Sequence, residues 1–450
     1  MSPADDQPPY RTARPEDTPR SHPSPPSVPR WPRGVTADQE RAVVFALAVT
    51  LVVLRSAVFV FFDAVFDSDQ AIVGLMAKHL SDGRALPVFT YGQDYQLAVE
   101  AWLAAPLFWL LGPSVVALKL PLLVINILLA VLLIALLERE LGLRPALGLV
   151  VASLFILAPP GTTAYFLEAS GGQVEPLFVA LLLWVTRRRP LLFGTILAFG
   201  FLQRVFTAYA LGALVLVELL DRSLLTAEGI RRKLLATVAF TAVWQGIGMV
   251  RAQVGTAWGP ATSGSYDYLP ISTSDNTALN ADLLLDRFCF EAGSLPGNLA
   301  DFAGPFLSTM MGGRRVPLVD FSIPSLGTQG LDGLWLLLGG SLLLAVGRIV
   351  WSACRGHALP WDPRLKFATY LILIGAQSSA VYVLSQCGRI NPTTMRYTLL
   401  TVLGLIGIVA YHAVIERRPL IRRFTLGVVG CWAVVALWGH TTLLADFLRD

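Results

Sequence analysis

An all-α polytopic membrane protein is the fold class this sequence predicts, and three observations predict it. Only 15% of the 450 residues are charged, against 54% hydrophobic, whereas a soluble domain carries roughly 25% charge. Mean hydropathy is +0.60. Apolar runs near the roughly 20 residues needed to cross a bilayer recur along the chain. Together these exclude a soluble enzyme, a DNA-binding protein and a secreted disulfide scaffold. The four cysteines, Cys289, Cys354, Cys387 and Cys431, show no CxxC spacing, which leaves no case for a zinc or iron–sulfur site.

Residues 1–34 hold ten prolines and almost no aliphatics. Such a segment buries too little apolar surface to offset its ordering entropy, so a disordered tail is expected. It is too long and proline-rich for the n-region of a signal peptide, so the run Arg41 to Phe62 is read as an uncleaved transmembrane helix. Further spans are expected near 115–137, 145–160, 172–187, 190–203, 205–221, 233–255, 329–350, 366–386, 396–415 and 424–445, about eleven in all. The basic residues collect in alternate short connections: Arg139/Arg144, Arg187 to Arg189, Arg222/Arg231/Arg232/Lys233, Arg348/Arg355/Arg364/Lys366 and Arg417/Arg418/Arg422/Arg423. Short basic loops stay cytoplasmic, so the N-terminus is expected inside and the long connections 63–114 and 256–328 outside, in a plasma membrane. The net charge of +4 is then a topology signal, and no nucleic-acid partner is expected.

Long connections usually carry function. In the first, Asp63, Asp67 and Asp69 stand at the mouth of the first span. Ile72, Val73, Met76 and Leu80 then recur at helical spacing, which predicts an amphipathic helix along the membrane surface, ended by Gly83 and Pro87. The polar, aromatic stretch Tyr91-Gly92-Gln93-Asp94-Tyr95-Gln96 follows. A second amphipathic helix, about 97–111, carries Glu100 near its start. A carboxylate at the membrane–water boundary can accept a proton from a hydroxyl while a lipid-anchored donor approaches from the bilayer. The competing reading makes Asp67, Ser68 or Asp69 the N-cap of the helix.

These residues resemble the first outer loop of the C-type (GT-C) membrane glycosyltransferases, specifically bacterial members of the family 39-like clan that holds protein O-mannosyltransferases and aminoarabinose transferases. The matching stretches are Asp69 with Ala71 to Ala77, Pro87-Val88-Phe89, Tyr91-Gly92-Gln93, Tyr95 and Leu97 to Ala101, with a weaker match at Gly171-Gly172 and Glu175. The resemblance implies a GT-C fold. It also implies transfer of a sugar from a polyprenyl-phosphate donor to an envelope lipid, glycan or protein acceptor on the outer face of the membrane, with inversion. Asp69 matches the family's catalytic aspartate, its base. The residue that follows, acidic or serine in many relatives, is Gln70 here. A metal held by adjacent acids thereby loses a ligand; no cofactor is expected, and a divalent metal stays open. On this reading the chain divides into a cytoplasmic tail (1–34), a GT-C membrane module (35–255) with its catalytic outer loop (63–114), an outer loop or cap (256–328) and C-terminal transmembrane helices (329–450).

Charges within or beside the spans usually face a cavity or a partner. Arg55, Lys119, Glu175, Arg204, Arg251 and Arg396 are such residues. Arg204 follows Gln203 at a tight outward turn, and its forked donors suit a phosphate. Arg251 and Arg396 either join it or snorkel to the headgroups. Glu175 either pairs with an arginine or touches a substrate. Asp67, Tyr91, Gln93, Tyr95 and Glu100 are expected to shape the sugar or acceptor pocket. In the second loop, short helices are expected near 278–292 and 297–311, with Arg287, Arg314 and Arg315 either meeting phosphate or sugar or, as the sequence favours, on a solvated surface. Cys289 and Cys387 would share the oxidising side, where a disulfide is conceivable. The rival reading is a polytopic lipid or glycan transporter, which would need broken helices and charges at the bilayer midplane.

Overall fold

The computed structural model describes residues 36–62, 65–91, 93–257, 292–302, 307–311, 316–318, 321–323, 347, 363–384, 398–416 and 418–449. Within them the protein is an all-α polytopic membrane protein, interrupted by two small antiparallel hairpins. The expected span at 329–350, most of the second outer loop, Arg396, Cys289 and Cys387 lie outside the described residues.

Helix α1 (Ala37–Phe61) begins in a capping box, with Thr36 accepting from the Gln39 amide and the Gln39 side chain accepting from the Thr36 amide. The first outer loop folds into α2 (Ser68–Ser81), a hairpin of β1 (Phe89–Thr90) with β2 (Gln93–Leu97), and α3 (Val99–Leu111). Next come α4 (Val115–Leu141), α5 (Pro145–Ile156) and α6 (Pro160–Phe166), then α7 (Glu175–Thr186), α8 (Pro190–Gln203), α9 (Thr207–Leu220) and α10 (Ala227–Ala257). After two short helices, α11 (Leu295–Asp301) and α12 (Leu307–Met310), and the hairpin β3 (Val316–Leu318) with β4 (Phe321–Ile323), the bundle closes with α13 (Lys366–Leu384), α14 (Thr401–Ile415) and α15 (Pro419–Phe447). Four described helices, α1, α4, α10 and α15, are long and apolar enough to cross a membrane, and the pair α5–α6 makes a fifth.

That pair corrects the expectation of one helix over 145–160. The chain bends by 83° between α5 and α6, at Ala158-Pro159-Pro160, because proline has no N–H to continue the ladder. Carbonyls freed inside a membrane must find donors. Arg55 of α1 donates to the Phe155 carbonyl and to Asn126. The Ala158 carbonyl accepts from Thr163 and His440, each at 2.7 Å. Arg55 also lies over the rings of Phe155 and Phe166. The buried arginine is thus a structural clasp for the break.

Helices α13 and α14 cross at glycines. A Cβ on Gly375 would stand 2.5 Å from the Gly404 Cα, and one on Gly404 2.7 Å from the Gly375 Cα. Small residues at such crossings let backbones touch, which drives association where no hydrophobic gradient exists between helix and lipid.

Ion pairs identify one end of the bundle. Arg187 meets Glu140 at 3.0 Å, Lys233 meets Glu218 at 2.7 Å and Lys366 meets Asp221 at 2.6 Å. Arg41 of α1 donates to Glu138 at 3.0 Å. The connections that carry Glu138 and Glu140, Arg187, Lys233 and Lys366 therefore share one end. The first outer loop, Lys119 and Arg204 belong to the other: the Lys119 ammonium donates to the Val65 carbonyl at 2.9 Å.

Candidate functional site

Asp67, not Asp69, caps α2: its carboxylate accepts from the Gln70 amide at 3.0 Å. Asp69, one turn position further, is exposed. Gln70 is buried and bridges two strands of the loop, donating to the Val65 carbonyl at 3.1 Å and accepting from the Ala169 amide at 3.3 Å. This bridge fixes the first turn of α2 against the segment between α6 and α7.

That segment, residues 167–174, turns on Gly171 (φ +94°) and Gly172 (φ +87°), a backbone that glycine alone adopts without strain. A side chain would also find no room. A Cβ on Gly171 would lie 1.2 Å from the Gln96 Nε2, and one on Gly172 2.8 Å from the Arg204 Cγ. The turn aims two successive amides at one carboxylate: Gly171 N–H and Gly172 N–H each donate to a separate Glu100 oxygen at 2.7 Å. The loop helix α3 is thereby tied to the tip of the α6–α7 hairpin.

Glu100 lies close enough to Glu175, the first residue of α7, for the charge of one to act on the other. Burial raises Glu100 well above the usual carboxylate range and the Glu175 charge raises it further, while the two glycine amides pull it back. Two adjacent buried carboxyls do not both ionise readily. Arg204 lies close enough for its charge to act on Glu175, and its Nε donates to the Gly172 carbonyl at 3.2 Å. Around them are buried polar atoms without a hydrogen-bond partner: Gln96 Oε1, both Glu175 oxygens, both Gln203 polar atoms and Thr207 Oγ1. Native proteins rarely leave so many in one place unless water or a ligand fills it.

Helix lengths set the depth of this cluster. α7 and α8 have 12 and 14 residues, so each rises about 18–21 Å from the basic end. α1 and α4, with 25 and 27 residues, run about 37–40 Å. The buried acid pair therefore lies deeper than the far ends of α1 and α4.

The other sequence candidates are placed around the rim. Tyr91 is half-buried and its hydroxyl is 3.0 Å from His79 Nδ1. Arg251, near the end of α10, lies 5.3 Å from the Phe89 ring centre. Gln93 and Tyr95 belong to β2, and their side chains fall outside the described residues, as does Arg396. The structure thus brings together Glu100, Glu175 and Arg204, sets Asp67 and Asp69 one Gln70 bridge away, and brings Arg251 to the hairpin. Sequence reasoning missed Gln96 and Thr207, and noticed Gln203 only as the neighbour of Arg204. A polar residue at each end of short apolar helices was the available signal. Beside Glu175 stand both a second acid, Glu100, and the charge of Arg204.

Fold and geometry define an all-α polytopic membrane protein with a buried acid pair, Glu100 and Glu175, and Arg204 beside it, at the end opposite its ion-paired connections. No protein-family model matches the chain. No curated protein matches it either. Among solved structures, the oligosaccharyltransferase of Archaeoglobus fulgidus in its apo form aligns over 89% of this chain and 56% of its own, with a TM-score of 0.46 and 14% identity. The chain spans about half the length of that protein, and a likeness at this level assigns neither activity nor substrate.

Proposed function

We propose that the protein is a C-type membrane glycosyltransferase that moves one sugar from a polyprenyl-phosphate donor to an envelope acceptor at the outer face. The observation that carries this reading is the tie, through Gln70, of the first turn of α2, which holds the exposed Asp69, to the segment whose Gly172 carbonyl accepts from Arg204. In the reaction, the acceptor oxygen or nitrogen forms a bond to the anomeric carbon as the carbon–oxygen bond to phosphate breaks. The acceptor proton passes to the Asp69 carboxylate. The electron pair leaves with polyprenyl phosphate, whose growing charge Arg204 meets, with Arg251 and Arg396 as further cations. Attack from the face opposite the phosphate inverts the anomeric centre. Glu100 and Glu175 shape the floor, and Asp67, Tyr91, Gln93 and Tyr95 the rim, where sugar or acceptor hydroxyls would bind.

A lipid or glycan transporter is the second reading, and the bent pair α5–α6 with Arg55 inside a span favours it. Against it stands the way two carbonyls of that break are engaged within the bundle: Arg55 donates to the Phe155 carbonyl, and Thr163 and His440 to the Ala158 carbonyl. The test supplies purified protein with labelled polyprenyl-phosphate sugars and a panel of envelope acceptors. Transfer of label to an acceptor is expected, lost by roughly 10²-fold or more in Asp69→Asn at unchanged elution. Label that stays on lipid but changes leaflet in proteoliposomes would establish transport instead.

A further inference from the structure

The basic end of the bundle holds a cavity that this chemistry does not use. Its volume is about 530 Å³, within the roughly 300–1,000 Å³ of small-ligand pockets. It lies where α7 and α9 end and α10 and α13 begin, at the level of one membrane surface. Five cations line it against three acids, Glu140, Glu218 and Asp221. Each acid already holds a cation, respectively Arg187, Lys233 and Lys366. Arg188 also lines the cavity; it is exposed and has no acidic partner among the described residues.

Trp184 forms part of the wall. It is 2% exposed, yet its indole N–H is buried without an acceptor, and the Arg187 guanidinium lies 4.0 Å above its ring. An orphaned buried donor beside a surplus cation asks for an anionic oxygen. The neighbouring surface is apolar: Leu219, Leu220, Leu225, Ile230 and Leu234 are exposed on the end of α9, the turn after it and the start of α10. We propose that the cavity binds the phosphate group of an anionic membrane lipid, whose hydrocarbon lies along these residues. Basic pockets between membrane helices suit such headgroups. The proposal is independent of the transferase reading.

The experiment is native mass spectrometry of the full chain in detergent, titrated with phosphatidic acid, phosphatidylcholine or inorganic phosphate. Phosphatidic acid adducts are expected to exceed phosphatidylcholine adducts at least about fivefold. Arg188→Gln should lower them about fivefold, the worth of one cation near a lipid phosphate. Arg188 is exposed, so this variant should fold, and its elution profile checks that. Trp184→Phe, which keeps a ring but removes the N–H, should lower the same adducts. Equal retention of the two lipids, or adducts unchanged in both variants, would overturn the proposal. Displacement of the lipid by equimolar inorganic phosphate would overturn it too, assigning the cavity to a soluble anion.

Discussion

Exchanging one carboxyl for an amide should have opposite consequences at the two members of the acid pair. Both Glu100 oxygens are acceptors, each for a glycine N–H at 2.7 Å. In Glu100→Gln one oxygen becomes an NH₂ that faces a backbone N–H, donor against donor. One buried amide then loses its partner, and the expected loss is about 1–3 kcal/mol in the tie between α3 and the tip of the α6–α7 hairpin. Glu175→Gln removes a like charge from Glu100 and supplies a donor in its place, so stability should hold or rise. Thermal unfolding in detergent, followed by size exclusion after heating, ranks the three proteins. A Glu100→Gln transition equal to wild type, or a Glu175→Gln transition below it, would refute the assignment of donors and acceptors at this pair.

The raised Glu100 ionisation also gives a pH dependence. Above about 4.5, the ordinary glutamate value, the unfolded chain loses a proton that the folded chain keeps, so this group's contribution is full at low pH and fades as pH rises through the raised folded value. Melting temperature should fall along that range, with a shallower slope in Glu175→Gln; identical slopes would contradict the coupling. Gly171→Ala should destabilise by at least about 1–2 kcal/mol through its left-handed backbone alone, and by more because the methyl meets Gln96, which limited proteolysis of the outer loop would report. Arg55→Leu leaves the buried Asn126 Oδ1 without its donor, about 1–3 kcal/mol, while the Phe155 carbonyl keeps the Ala158 N–H at 3.1 Å; recovery of folded protein on size exclusion should fall. Gly404→Leu should separate α13 from α14, lowering recovery of folded protein while Gly427→Leu, with open space around its Cβ position, leaves it unchanged.

Much of the fold was legible because a bilayer demands long apolar runs, and α1, α4, α10 and α15 follow them closely. The amphipathic α2 was legible from Ile72, Val73, Met76 and Leu80. The break between α5 and α6 was not foreseen: hydropathy is blind to it, although Pro159-Pro160 marked the spot. The hairpin β1–β2 escaped because a two-residue strand has no period to detect. At the site, Glu100, Glu175 and Arg204 stood out as charges beside apolar runs, but their proximity depends on the Gly171-Gly172 turn, and pairing of two acids contradicts simple charge matching. Gln96, Gln203 and Thr207 carry no charge, and nothing in their sequence neighbours distinguished them from polar residues at ordinary helix ends.

The two heights of the bundle bear on the lipid around it. α8 and α9, 14 residues each, offer only about 21 Å of apolar length to a hydrocarbon layer of about 30 Å, and Leu191, Phe199, Leu216 and Leu220 on them face outward. A bilayer meets such mismatch by thinning. Beside these helices the leaflet should pinch inward and its headgroups sink toward Arg204. Under the proposed transferase reading, a long-chain phosphate in that dimple would arrive at the arginine while still in its own leaflet, without being lifted out of the hydrocarbon.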